Sequence, residues 1–168
     1  GVGKTTLLQV ITKLIGGSYE RIEGTVDLMP NDIIYHASIS DDGKPSISKG
    51  PLLKKGEDLS VFFFNEINRA RPQVHSLMLR AMAEKSVSAF NKVMYLPNMV
   101  VFADRNQVEK NETFELPAAA RDRFMMEVTI QSPKDKVLRD SIIFDTKFQD
   151  TSSLINDILG NSVFCKCY

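Results

Sequence analysis

Gly1-Val2-Gly3-Lys4-Thr5-Thr6 is the stretch that decides the reading, and it opens the chain. It is the second half of the pattern G-x-x-x-x-G-K-[ST]. Glycines let backbone N–H groups approach phosphate oxygens with no Cβ in the way. Lys4 would place a cation near the β and γ phosphates of ATP or GTP. The Thr5 hydroxyl is a hard-oxygen ligand suited to Mg²⁺. Leu7, Leu8, Ile11, Leu14 and Ile15 then recur at helical spacing, and Gly16-Gly17 stops them. The helix predicted over 5–15 therefore turns its positive end toward the same anion. The first glycine of the pattern and the apolar strand that feeds such a loop are expected upstream of Gly1.

Further along, Val61-Phe62-Phe63-Phe64-Asn65-Glu66 is almost wholly apolar until its last two residues. Such a run suits a strand buried on both faces of a parallel sheet. Ligands of open α/β sheets bind at the carboxyl edge of the strands, where Asn65 and Glu66 fall. Glu66 could act there as general base toward an attacking water. This is the shape of a Walker B motif, in which the position before the glutamate normally carries aspartate to help hold Mg²⁺. Asn65 can still offer an amide oxygen, with one negative charge fewer.

The remaining pattern alternates strands and helices. Ile22 marks a short strand, and Val26 to Ile33 reads as a brief helix limited by Pro30. The alternation over 33–39, the Asp41-Asp42-Gly43-Lys44 turn and a polar return strand predict a hairpin over 33–49. Pro72 to Lys85 is an amphipathic helix with proline near its start. A second hairpin is expected at 86–95, a buried strand at Met99 to Ala103, and a short helix at Pro117 to Arg123. Met125 to Ile130 reads as a last strand and 133–145 as a helix. The sum is an α/β three-layer fold with a parallel sheet and hairpin inserts.

The totals set bounds on function. The chain has 168 residues, 43% hydrophobic and 25% charged, with a formal net charge of zero. That balance argues against a general nucleic-acid surface. No apolar run approaches the roughly 20 residues of a membrane helix. Cys165 and Cys167 make neither a disulfide framework nor a complete zinc site, and a reducing cytoplasm fits them best. His36 and His75 match no metal spacing, and His75 is read as a surface residue.

Four ordered blocks over about residues 1–131 resemble MoxR-type AAA+ ATPases. The segment Asn65-Glu66-Ile67-Asn68-Arg69-Ala70, with Pro72 and the helix ending Ala81-Met82-Ala83-Glu84, is similar to that family's Asp-Glu-Ile-Asn-Arg-Ala segment. Arg21 to Ile33 resembles the stretch before its hairpin insert, and Gly50-Pro51-Leu52 its Gly-Pro step. Ala103-Asp104-Arg105-Asn106, and Leu116 to Phe124, are similar to its sensor and Asp-Arg-Phe segments.

The resemblance implies ATP hydrolysis with Mg²⁺ bound through Thr5 and Asn65, and ATP held by Gly1 to Thr6. It puts Glu66, the sensor asparagine Asn106 and an arginine finger at Arg123 in the catalytic set, with Arg121 a nearby rival for the finger. It implies a cytoplasmic hexameric ring that remodels a partner protein, such as one with a von Willebrand A domain. The two hairpins are then expected near the pore of the ring. Residues 1–131 would be the AAA+ core, and 132–168 the start of its lid or a divergent tail. Asn65 and Gln107 depart from the family pattern. A regulatory subunit with weak or no hydrolysis is therefore the second reading, and a nucleic-acid motor the third. Lacking the strand before the phosphate loop, residues 1–168 alone would forfeit about 6–12 kcal/mol of buried apolar contact. They are expected to be poorly stable and to bind nucleotide weakly.

Overall fold

The apolar run at 59–65 organises the architecture. A computed structural model describes residues 4–15, 17–39, 42–105, 114–130 and 134–144, without the side chains of Thr5, Thr6, Gln9, Leu138 and Ile143. These residues fall into two units, one within Gly1–Gly16 and Val128–Tyr168, the other Gly17–Glu127.

In the larger unit, β1 (Ser18–Glu23), β4 (Leu59–Asn65) and β7 (Val100–Ala103) form a parallel sheet in the order β1-β4-β7. The central strand is buried on both faces, as an all-apolar strand requires. Val61, Phe62, Phe63 and Phe64 are all fully buried. Phe62 and Phe64 face the main core. There they meet Ile33 and Ile34 of α2 (Pro30–Ile34), Leu52 and Leu53 of α3 (Pro51–Lys54), and Val74, Met78 and Ala81 of α4 (Pro72–Glu84). The parallel register pairs Ile22 with Phe64 and Glu23 with Asn65 on one side, and Phe64 with Ala103 on the other. All three strands thus end at the same edge.

Two antiparallel hairpins leave this core. One joins β2 (Tyr35–Ile39) to β3 (Pro45–Lys49), and the other joins β5 (Ser86–Ala89) to β6 (Lys92–Tyr95). The Tyr35 and Phe90 rings meet at 5.4 Å between centroids. Proline sets three helix starts. Pro30, Pro51 and Pro72 each stand in the first turn, where a missing N–H costs no intrahelical bond.

The helix expected from Val26 begins instead at Pro30. Asp32 accepts from the Met29 N–H at 2.9 Å and fixes the start there. The short helix α5 is Ala118–Arg121. Met125 to Ile130 is not a strand. It has no ladder partner among the described residues, and Met125 is 98% exposed, so alternation there lacks a face to bury.

In the smaller unit, α1 (Lys4–Ile15) and α6 (Lys136–Phe144) are the described helices. Asp135 precedes α6, and its carboxylate accepts from the Val137 N–H at 2.9 Å, as an N-cap does.

Candidate functional site

Lys4 is the first residue of α1, and the first turn carries no acidic side chain to cancel the helix's positive end. Leu8 and Thr12 are buried in this helix, and the Thr12 hydroxyl donates to the Leu8 carbonyl at 2.8 Å. Thr5 and Thr6 lie in the first turn. Gly1, Val2 and Gly3 lie outside the described residues, as does Asn106.

The carboxyl edge of the sheet is defined in atomic detail. Asn65 ends β4, and Glu66 follows in the left-handed region at φ 51°, ψ 48°. That conformation is costly for a residue with a Cβ and persists only where its surroundings enforce it. Both neighbouring strands do so. After β1, the Gly24 N–H donates to the Asn65 carbonyl at 2.8 Å. After β7, Asp104 holds the turn with backbone and side chain together. Its N–H donates to the Phe64 carbonyl at 3.0 Å, and its carbonyl accepts from the Ile67 N–H at 2.9 Å. Its Oδ1 accepts from the Glu66 N–H at 2.5 Å.

Asn65 faces the same carboxylate. With its amide nitrogen turned toward Asp104 it donates to Oδ1 and Oδ2 at 3.1 and 3.3 Å. The opposite orientation would set an amide oxygen against a carboxylate. The Glu66 side chain is tied to its own turn. Arg69 Nη1 donates to Glu66 Oε2 at 3.1 Å, and both side chains are partly exposed. The chain therefore aims a carboxylate out of a rigid, strained turn at the edge where α/β sheets take ligands.

Arg123 lies just beyond α5, and its Nη1 donates to the Leu79 carbonyl of α4 at 3.0 Å. Arg121 is exposed at the end of α5. A surface position for His75 is wrong. The residue is only 2% exposed, because it shares the inward stripe of α4 with Val74, Met78 and Ala81. Its Nε2 donates to the Ile67 carbonyl at 2.7 Å, and burial pushes the imidazole below its usual range, partly opposed by that bond. It thus braces the turn that follows Glu66. His36 is exposed.

Asp104 is the residue that sequence reasoning passed over. Its signal was present, since it too is an acid directly after a strand, although β7 is not the buried strand expected at Met99 to Ala103: Val100 is exposed and Val101, Phe102 and Ala103 are half-buried. Among the described residues no group of three or more His, Cys, Asp or Glu could hold a metal ion. Hard-oxygen groups are what the strand edge offers, and Mg²⁺ accepts few protein ligands when phosphates and water supply the rest.

A parallel sheet whose central strand ends in a held amide–glutamate turn, in a chain whose sequence opens on Gly3-Lys4-Thr5, fits an ATPase core of the AAA class. The ATPase family associated with various cellular activities (AAA) matches residues 1–126. Protein MoxR of Methylorubrum extorquens is 60% identical over 158 residues, covering 94% of this chain and 46% of its own length. Protein MoxR of Paracoccus denitrificans is 56% identical, with 94% and 47% covered. Chaperone MoxR1 of Mycobacterium tuberculosis is 32% identical, with 84% and 37% covered. A crystal structure from Cytophaga hutchinsonii, of a protein provisionally assigned as an ATPase, superposes with TM-score 0.68 at 27% identity. It is covered over 44% of its length, and this chain over 98%. The chain belongs to the MoxR family of AAA+ ATPases, and it spans about half the length of the Methylorubrum and Paracoccus MoxR proteins.

Proposed function

We propose that the protein binds ATP with Mg²⁺ and hydrolyses it, and that turnover drives the chaperone-like remodelling of a partner protein. The observation that carries this is the Asn65–Glu66 turn. Its strained backbone is fixed from β1 and β7, and it presents a carboxylate at the ligand edge of the sheet.

In this reading Gly1 to Thr6 cradle the phosphates, and Lys4 sits against the β and γ oxygens. Thr5 and Asn65 would hold Mg²⁺, which would offset the phosphate charge. Glu66 takes the proton from the attacking water, and the Arg69 ion pair limits where its carboxylate can point. Asn106 orients that water. Arg123 acts on the nucleotide of a neighbouring subunit in a hexameric ring. Its bond to Leu79 ties it to α4, the helix that follows the Glu66 turn. Residues 1–131 are the ATPase core, and the rest begins the lid. The similarity to a protein named chaperone MoxR1 supports a protein substrate, for which a von Willebrand A domain is the proposed class. No described helix is long and apolar enough to cross a membrane.

Asn65 favours a second reading, a regulatory subunit that binds nucleotide and turns it over slowly. Phosphate release from Mg·ATP, measured against Lys4→Ala, tests the first. Turnover that falls at least about a hundredfold in the variant is expected, the scale of a lost electrostatic contact to the reacting phosphates. Equal turnover in both proteins would reject the phosphate-cradle assignment. Measurable binding with negligible turnover in the unaltered protein would favour the second reading.

A further inference from the structure

Asn65 looks like a lost charge when β4 is considered alone. The strand beside it changes that. Phe64 pairs with Ala103, so the next residues, Asn65 and Asp104, leave the sheet side by side. The Asp104 carboxylate accepts from the Glu66 N–H at 2.5 Å and, with the Asn65 amide nitrogen turned toward it, from Asn65 at 3.1 and 3.3 Å.

An aspartate at 65 would set a second carboxylate at this distance from the first, and two carboxylates that close cannot both ionise comfortably. Asparagine is the side chain of the same shape that turns the repulsion into a hydrogen bond. The turns after β4 and β7 therefore still carry one carboxylate each, Glu66 and Asp104.

We propose that Asp104 is a positioning residue of the ATPase site, supplying from β7 the carboxylate that the end of β4 lacks. It fixes the backbone of Glu66 and orients the Asn65 amide, whose oxygen then points away from Asp104. Asn65 and Asp104 act as one unit, an aspartate–asparagine pair with its charge moved one strand across. The proposal rests on the assignment of Glu66 as general base and adds the residue that aims it. On this account Asn65→Asp does not restore a missing ligand. It breaks the pair.

Four proteins test this: the unaltered chain, Asn65→Asp, Asp104→Asn, and the exchange Asn65→Asp/Asp104→Asn. Each is melted without nucleotide or Mg²⁺, titrated with a mant-labelled ATP across Mg²⁺ concentrations, and assayed for phosphate release. Asn65→Asp is expected to lower the melting temperature and give no gain in turnover. Asp104→Asn keeps an acceptor for the Glu66 N–H but removes the charge. It is expected to lower kcat about tenfold, the scale of a weakened charge-assisted bond, while KM moves less than about threefold.

The exchange is expected to recover the melting temperature, and turnover to within about threefold of the unaltered chain, because residues in contact are non-additive. Higher turnover in Asn65→Asp with a silent Asp104→Asn would overturn the proposal, and so would simple additivity in the exchange. Should Asp104→Asn fail to fold, the exchange decides: recovery of the fold supports the pair, and failure overturns it. If the unaltered protein neither binds nor hydrolyses ATP, the functional assignment falls. The melting temperatures then judge the pair by themselves, with non-additivity for it and additivity against it.

Discussion

Gly24→Ala probes the turn at Glu66 without changing any residue of it. A Cβ at Gly24 would lie 2.2 Å from the Glu66 carbonyl oxygen, 3.0 Å from its carbonyl carbon and 3.2 Å from the Asn65 carbonyl oxygen. All three are backbone atoms of the turn, so no side chain can swing aside. Relief requires the Glu66 peptide to move by about 1 Å, a shift of the kind that overpacking imposes at about 1–3 kcal/mol. Alanine returns about 0.4–1 kcal/mol by restricting the unfolded chain. The net loss is about 1–2 kcal/mol, which lowers the melting temperature by about 2–8 °C in a chain of this size.

Activity should suffer more than stability. A general base displaced by about 1 Å loses about a hundredfold in rate. Thermal melting by circular dichroism and phosphate release read the two effects separately. Gly17→Ala supplies the contrast. Its Cβ would lie 2.0 Å from the Ser60 hydroxyl oxygen and 2.2 Å from the Ser60 Cβ, both side-chain atoms. Ser60→Gly should therefore rescue Gly17→Ala, whereas Gly24→Ala has no such partner to shorten. A Gly24→Ala protein that melts at or above the unaltered one and keeps its turnover would refute the reasoning.

Two further outcomes follow from the core. Burial holds the His75 imidazole below its usual range, and its Nδ1 has no hydrogen-bond partner among the described residues, so the folded chain takes up a proton there less readily than the unfolded one. Its contribution is complete above the ordinary imidazole pKa and is lost as pH falls below about 6.5. The melting temperature should therefore drop between pH 7.5 and 5.5, and His75→Gln should shrink that drop. Equal drops in both proteins would exclude His75 as the cause. Phe64→Ala empties a fully buried site in the main core and should cost about 3–5 kcal/mol. A loss under about 1 kcal/mol in denaturant unfolding would mean that β4 is not the central buried strand.

Much of this was readable from residue order. The apolar run 60–64 announced a strand buried on both faces, and β4 is that strand. Pro72 and the spacing of Val74, Met78 and Ala81 announced α4, and period-two alternation with the Asp41-Asp42-Gly43-Lys44 turn announced the first hairpin. These signals are local, carried by periodicity and by proline's fixed backbone.

What escaped was set by contacts between distant residues. Asp104 lies 38 positions from Glu66, and only the β4–β7 register brings its carboxylate to the Glu66 N–H. His75 was misjudged because polarity outweighed its place on the stripe of α4. Residues 125–130 alternate like a strand, but a ladder needs a neighbour, and alternation cannot report one.

The central claim is that Glu66 is the base of an ATP-hydrolysing site, and Glu66→Gln addresses it with almost no change of shape. The measurement is mant-ATP affinity beside single-turnover phosphate release from Mg·ATP, on the unaltered protein and on this variant. The account predicts affinity within about threefold and a rate lower by at least about a hundredfold, since glutamine cannot accept the proton. Unchanged phosphate release would contradict it and remove Glu66 from the mechanism.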